Sequence, residues 1–320
     1  MQTNHINVIE YNWQVIINPN ALSKKCYDHW SSISQKLDAL NIHYQINIAD
    51  ELGSGKEFAR VLCKAGKRYF IVIGGDGTLN EVINGIFVSG IDTTQVFVAP
   101  IPLGTGNDWG KSHHYPKSYL DFFSFFMEGQ FLSHDVGLIN SMEKNRLIDF
   151  RYFINIAGFC FDAEVVQQTL KIKRKIIASK IYLFNLLKVL LKHHYQNIQL
   201  ISPDFDISGK IFTIAVGICQ YNGNGMRQVP MADPTDGLLD VIIIRKLPIH
   251  KALKNVKNLY TGTHIGKLKE IEVYRTNTLE IKSKSPILGE VEGEMLTTGN
   301  YKIMMIPQSV NMLIPPATKK

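Results

Sequence analysis

The stretch Ile71-Val72-Ile73-Gly74-Gly75-Asp76-Gly77-Thr78-Leu79-Asn80-Glu81 constrains this chain more than any other. Ile71 to Ile73 read as the end of a buried strand. Beyond the glycines, Leu79, Val82, Ile83, Ile86 and Phe87 recur along one helical face. Thr78 and Glu81 have capping-box spacing, which predicts that the helix begins there. A strand, a turn of bare backbone and a helix N-terminus together present N–H groups and a positive dipole end, a setting that suits phosphate. The same residues would serve a tight strand-to-helix turn with no ligand. A second loop, Ala99-Pro100-Ile101-Pro102-Leu103-Gly104-Thr105-Gly106-Asn107-Asp108-Trp109, follows the apolar run Val96 to Val98. Two strand-ended glycine loops, each carrying an aspartate, fit the crevice at the carboxyl ends of a parallel sheet. Neither has the Gly-Lys-Ser/Thr of a Walker A loop, and neither has the dinucleotide pattern G-x-G-x-x-G.

The rest of the first half alternates strand and helix. Trp13 to Ile17, Tyr44 to Ile48, Tyr69 to Ile73 and Val96 to Ala99 read as strands. Cys26 to Leu40, Glu57 to Ala65, Leu79 to Phe87 and the phenylalanine-dense Tyr119 to Met127 read as helices. That order predicts a parallel α/β sheet. After about Gly137 the pattern becomes strands separated mostly by turns: Arg151 to Ile156, Asn197 to Ile201, Lys210 to Cys219, Leu238 to Ile244, Glu270 to Tyr274, Thr278 to Ile281 and Tyr301 to Ile306. One helix, Pro248 to Tyr260, interrupts them. An antiparallel sheet or sandwich is expected there.

At 320 residues the chain suits two domains, each with its own core. Its 45% hydrophobic and 20% charged content is that of a globular protein. The N-terminus lacks the basic and apolar regions of a signal peptide, and no run of 18 apolar residues occurs. Cys26, Cys63, Cys160 and Cys219 are far apart and form no C-x-x-C, so buried free thiols in a reducing cytoplasm are expected. The net charge of +7 has a local origin. From Val165 to Pro203 there is no acid, but there are Lys171, Lys173, Arg174, Lys175, Lys180, Lys188 and Lys192, which equal the whole excess. Nothing here has a nucleic-acid-binding motif. The apolar helix expected from Ser179 to Tyr195, with cations ahead of it, fits either a core or an anionic lipid interface.

The motifs GGDGTLNEVINGI and PLGTGNDW resemble the diacylglycerol kinase catalytic domain of bacterial lipid kinases and sphingosine kinases. The resemblance continues in family order through Asp135-Val136-Gly137, Phe153 to Ala163, Tyr221 to Met226 and Pro230 to Val241, so it covers nearly the whole chain. It implies an α/β N-terminal nucleotide-binding domain, residues 1–135 joined by the C-terminal segment 307–320, and an all-β, sandwich-like domain, residues 136–306, for the lipid substrate. It implies ATP and Mg2+ as cofactors and transfer of the γ-phosphate to a hydroxyl of a diacylglycerol-like or sphingoid lipid, within phospholipid biosynthesis. The expected location is cytoplasmic and peripheral, against an anionic membrane surface. No nucleic-acid partner is expected, and a homodimer stays open.

By the same resemblance, Asn18, Gly74, Gly75, Asp76, Gly77, Thr78, Leu79, Asn80, Thr105 and Asp108 would face the nucleotide, with Asp76 and Asp108 organising catalytic magnesium. Asp233, Asp236 and Leu238 resemble a structural magnesium site, although an Asp-Gly turn before a strand would also account for them. The family carries Asp-Gly-Glu near its C-terminus. Here Glu292-Gly293-Glu294 stands instead, so either Glu292 or Glu294 would accept the hydroxyl proton. Without that frame, Glu290, Glu292 and Glu294 would be the solvated face of an alternating strand. Glu292 in place of aspartate, and Ala49 where a threonine is expected near the nucleotide, are departures from the family. They keep two alternatives open: a non-catalytic lipid- or nucleotide-binding regulatory protein, and an NAD kinase-like enzyme sharing the GGDGT loop.

Overall fold

In a computed structural model, which describes residues 3–21, 26–171 and 189–316, the chain forms two compact units. The first comprises residues 1–136, 234–237 and 306–320, and the second 137–233 and 238–305. The sequence pattern left 234–237 in the second half. It clusters with the first because the buried Asp135 claims it: the Asp135 amide donates to the Pro234 carbonyl (2.8 Å), and its carboxylate accepts from the amides of Gly237 (2.7 Å) and Gln308 (2.6 Å).

The first unit is built on parallel strands β2 (Asn12–Ile17), β3 (His43–Ile48), β4 (Tyr69–Gly74) and β5 (Phe97–Pro102), in the order β3-β2-β4-β5. The short β1 (Thr3–His5) pairs antiparallel with the start of β6 (Gln130–Glu143). β4 is buried from Phe70 to Gly74 on both faces, as a central parallel strand must be, and hence reads as an unbroken apolar run. Helices α1 (Cys26–Ala39), α2 (Ser54–Lys64), α3 (Asp76–Val88), α4 (Asp108–Ser112) and α5 (Phe122–Phe126) belong to this unit. Its core joins Trp13, Ile71, Ile73 and Phe131 to the phenylalanines of α5. Phe126 stacks on Phe122 and meets Trp13 edge-on, each at 5.0 Å between centroids.

The second unit is antiparallel. β7 (Arg146–Phe153) pairs with the later part of β6, and β8 (Ile156–Cys160) follows after a break at Ile154 and Asn155. The single strand expected over Arg151 to Ile156 is therefore two strand ends around a kink. The sequence pattern also passes over α6 (Phe161–Leu170). β9 (Gln196–Ile201) and β8 lie along one edge of the long β10 (Asp206–Gly217), with β11 (Leu239–Arg245) on the other. β10 alternates exposure up to Lys210 and is buried from Ile211 onward, so its first half covers one face and its second half lies inside. β12 (Ile271–Thr276) extends β11 and β13 (Thr278–Ser283) extends β9, while β14 (Gly289–Val291) adds to β8 and forms a hairpin with β15 (Glu294–Met295). Helix α7 (Ile249–Thr261) joins β11 to β12. The last strand, β16 (Asn300–Leu313), pairs with β13 in this unit through Tyr301 to Met304, and with β5 in the first unit through Asn311 and Met312.

Most of the expected basic and apolar segment, residues 172–188, lies outside the described residues. Cys63, Cys160 and Cys219 are buried thiols outside any disulfide. Among the described residues no helix is long and apolar enough to cross a membrane.

Truncating Phe126 removes two aromatic contacts and opens a cavity beside Trp13. Phe126→Ala should cost about 3–5 kcal/mol in urea unfolding. A loss under about 1 kcal/mol would show that α5 does not anchor this core.

Candidate functional site

The glycine loops of the first unit meet backbone to backbone. A Cβ on Gly104 would stand 2.5 Å from the Gly75 Cα, and one on Gly75 would stand 3.0 Å from the Gly104 Cα. Real side chains cannot occupy that gap, so the ends of β4 and β5 reach this closeness only with glycine at both places. Asn107, at φ +51°, ties the second loop to itself: its side chain accepts from the Gly104 amide (2.8 Å) and donates to the carbonyls of Pro102 (3.2 Å) and Gly104 (3.0 Å).

Asp76 fastens the two loops. Its Oδ2 accepts from the Asp108 amide (3.1 Å) and its Oδ1 from the Trp109 amide (3.2 Å), so a carboxylate from α3 caps the first turn of α4. Trp109 is held in turn, since its indole N–H donates to His134 Nε2 (3.2 Å) while His134 Nδ1 reaches the Asp135 carbonyl (2.5 Å). Glu81 repeats the device on the next helix. Its carboxylate accepts from the amides of Gly53 (2.9 Å) and Gly55 (3.1 Å) at the start of α2. The capping box expected from Thr78 and Glu81 is thus not formed. α3 begins earlier, at Asp76, with Gly75 as its N-cap and no side-chain cap. Glu81 is spent on α2, and the Thr78 hydroxyl accepts from the Asn18 side-chain Nδ2 (3.1 Å).

These bonds place the predicted nucleotide-facing residues of the first unit individually. Asn18, Gly74, Gly75, Asp76, Gly77 and Thr78 surround the start of α3, and Gly74, Gly75, Asp76, Leu79, Asn107 and Trp109 line a small crevice there. The first helical turn leaves amides without intrahelical acceptors, here those of Asp76, Gly77 and Thr78. Asn80 is buried and accepts from the Asn84 side chain (3.0 Å), so its side chain serves the helix interior. Thr105 is exposed at the tip of the second loop, and Ala49 is buried with its amide on the Ile17 carbonyl.

Asp108 is buried and pairs with Lys111 (2.9 Å). A Cβ on Gly106 would lie 3.1 Å from Asp76 Oδ2 and 3.5 Å from Asp108 Oδ2, so both carboxylates border the same bare backbone. Burial first, and then the charge of Asp108, hold the Asp76 carboxyl above the usual carboxylate range, against the two amides that favour its anion. Two neighbouring acids that offer only oxygen donors fit a hard divalent cation such as magnesium, which commonly needs only one or two protein carboxylates.

In the second unit, Glu292 and Gly293 are the two central residues of the β14–β15 hairpin, with φ +52° and +85°. That is a type I′ turn, in which aspartate or asparagine is easier than glutamate at the first position. The longer side chain has a use: Glu292 Oε1 accepts from the amides of Ile154 and Asn155, both at 3.0 Å, at the kink between β7 and β8. A left-handed non-glycine residue costs about 1–2 kcal/mol. Two hydrogen bonds to a charged acceptor contribute about 1.5–3 kcal/mol each, so the bonds outweigh the strain. Glu294, partly exposed, forms an ion pair with Arg151.

Glu290 overturns the solvated-face expectation. It is fully buried, its Oε2 accepting from the Gly293 amide (2.9 Å) and its Oε1 from the Asn222 side chain (3.3 Å). Nearby, Asp162 is bonded to Gln228. The hairpin explains the reversal: a two-residue turn after Val291 ends the strand on which an alternating solvated face would rest. Asp233 is half-buried just ahead of the Pro234–Gly237 turn that Asp135 holds, and Asp236 is exposed within it. The sequence had flagged neither Glu290 and Asp162 nor the bracing residues Glu81, Asn107, His134 and Asp135 as site residues. Glu81, Asn107, Asp135 and Asp162 stood in quoted motifs without a site role, and buried acids near a glutamate hairpin carry no spacing signal.

Residues 12–139 match the family described as the diacylglycerol kinase catalytic domain, and residues 156–314 match the YegS C-terminal NAD kinase beta sandwich-like domain. The chain belongs to the diacylglycerol kinase catalytic-domain family. It is 25% identical over 280 residues to a Pectobacterium atrosepticum protein named probable lipid kinase YegS-like, covering 87% of this chain and 88% of that one. It is 23% identical over 304 residues to a Staphylococcus saprophyticus diacylglycerol kinase, covering 93% and 96%. The fold matches the crystal structure of a diacylglycerol kinase from Bacillus anthracis with a TM-score of 0.70 at 17% identity, over 96% of this chain and 97% of that one. The fold class read from the sequence, α/β followed by a sandwich-like β domain, is the fold of this lipid kinase family.

Burial pushes the Glu290 carboxyl from 4.5 up to about 8 and that of Asp162 from 3.8 up to about 6. An acid whose pKa rises on folding keeps a proton that the unfolded chain has released, so its contribution is complete below the unfolded value and is lost as pH rises through the folded one. Unfolding free energy should therefore fall between pH 4.5 and about 8, with the Asp162 share lost by about 6. Glu290→Gln should flatten the upper part of that slope. An unchanged slope in urea titrations across this range would place the titration elsewhere.

Proposed function

We propose that this member of the lipid kinase family is an active, ATP-dependent enzyme. It transfers the γ-phosphate to a hydroxyl of a diacylglycerol-like or sphingoid lipid at the inner membrane surface. The observation that carries this reading is the pair of glycine loops closed on each other at Gly75 and Gly104 beside the start of α3, with Asp76 and Asp108 on the same bare backbone. The amides at the start of α3 hold phosphate oxygens, with Thr105 and Asn18 as further polar contacts. Asp76 and Asp108 hold the magnesium ion, which when bound offsets charge on the phosphates. The Asp233–Leu238 turn is proposed to hold a second, structural ion.

Proton removal falls to Glu294. Glu292 is already committed to two backbone amides, whereas Glu294 is partly exposed, with Arg151 as its ion-pair partner. As the lipid oxygen bonds to the γ-phosphorus, its proton passes to Glu294 and the bond to the β-phosphate oxygen breaks, releasing ADP.

Labelled γ-phosphate should move from ATP into defined diacylglycerol or sphingosine and not into NAD. Glu294→Gln should lower the single-turnover rate by about 10²- to 10⁴-fold with nucleotide affinity unchanged. Label in NAD alone, or in no acceptor, would overturn the reading. A wild-type rate for Glu294→Gln would remove Glu294 from the chemistry.

A further inference from the structure

None of the 13 residues of α7 is buried, an unusual condition for a helix carrying four large apolar side chains besides its tyrosine. Its inner side is rooted in the second unit. Ala252 packs on the cluster of Phe161, Val189, Leu190, Phe212 and Leu247, and Lys251 pairs with Glu270 (2.9 Å). Its outer side presents Ile249, Leu253 and Tyr260, which are 36%, 38% and 48% exposed, with the exposed Lys254 and Lys257 interleaved. Those two lysines make no ion pair among the described residues. From Lys246 to Lys269 the chain has six lysines and no acid, a second basic stretch concealed in the sequence because acids elsewhere cancel it in the net charge.

The same cluster takes in residues of the stretch whose cations the sequence had singled out. Val165 opens that stretch and Val189 and Leu190 lie within it, while Leu170 and Leu191 are 62% and 71% exposed. Exposed Leu170, Lys171, Leu191 and Lys192 thus neighbour in sequence the residues of the cluster that also takes Ala252 of α7. Side chains of this kind divide naturally at a lipid interface, with leucine and isoleucine at the acyl boundary, tyrosine among headgroups and lysine at the phosphates.

We propose that the outer face of α7 is a docking surface for an anionic lipid bilayer. This deepens the proposed lipid kinase function and rests on it for its purpose.

The test uses the full chain with phosphatidylglycerol-rich and pure phosphatidylcholine vesicles. Lys254→Gln/Lys257→Gln should weaken sedimentation with the anionic vesicles by about 10- to 30-fold, and Leu253→Ser/Tyr260→Ser should weaken it further at high salt, where screening leaves the apolar part. Circular dichroism should match the wild type, since the changed side chains are exposed. Transfer of phosphate to a short-chain, water-soluble diacylglycerol should be unchanged. Wild-type vesicle binding by all these variants overturns the docking surface and leaves the kinase reading standing. Variants that change only the oligomeric state or binding to duplex DNA also overturn it. Loss of vesicle binding in a protein that phosphorylates no lipid supports the docking surface and overturns the kinase reading.

Discussion

Gly75 and Gly104 approach so closely that neither position can carry a Cβ, and the loops of the first unit are organised around that contact. With no side chains between them, the strand ends β4 and β5 bring Asp76 within reach of the first amides of α4. α3 therefore begins at a bare glycine, its own first turn uncapped by a side chain, while its acids cap its neighbours: Asp76 caps α4 and Glu81 caps α2. Three helices are held in register by two carboxylates, and the Trp109–His134–Asp135 chain stiffens the arrangement from behind. Asp135 then extends the bracing to Gly237 and Gln308, far along the chain.

The second unit uses acids differently. Glu292 stitches the β14–β15 turn to the kink between β7 and β8, and Glu290 supports the same turn from inside through the Gly293 amide. Glu290 is buried and pushed up to about 8, so near neutral pH it carries its proton much of the time and the core avoids an unpaired charge. Glu294, two positions past the turn's first residue, is the member of this group left at the surface and paired with Arg151. Three glutamates at alternating positions thus have three separate environments, because a two-residue turn falls among them.

Much of this was legible in the residues. The parallel α/β half followed from apolar runs alternating with helical spacing, and the glycine loops were visible because bare backbone after a buried strand is a strong local signal. What was not legible depended on distant pairing. Glu81 sits at capping-box distance from Thr78, yet its partners are Gly53 and Gly55, nearly thirty positions earlier. Glu290, Glu292 and Glu294 alternate like an exposed strand, and only the positive φ at Glu292 and Gly293 reveals a hairpin. The kink at Ile154 and Asn155 lay hidden inside an apolar stretch because its amides are satisfied by a glutamate over a hundred residues away.

The central claim is that the closed glycine loops, with Asp76 and Asp108 beside them, form a site for a triphosphate that needs a divalent cation. Calorimetric titration of the wild type with ATP, in magnesium and in EDTA, tests it directly. The two carboxylates should repel bare triphosphate, so affinity should be much higher with magnesium, and Asp108→Asn should narrow the gap by improving binding in EDTA. Equal affinity of the wild type for ATP with and without magnesium would contradict the account.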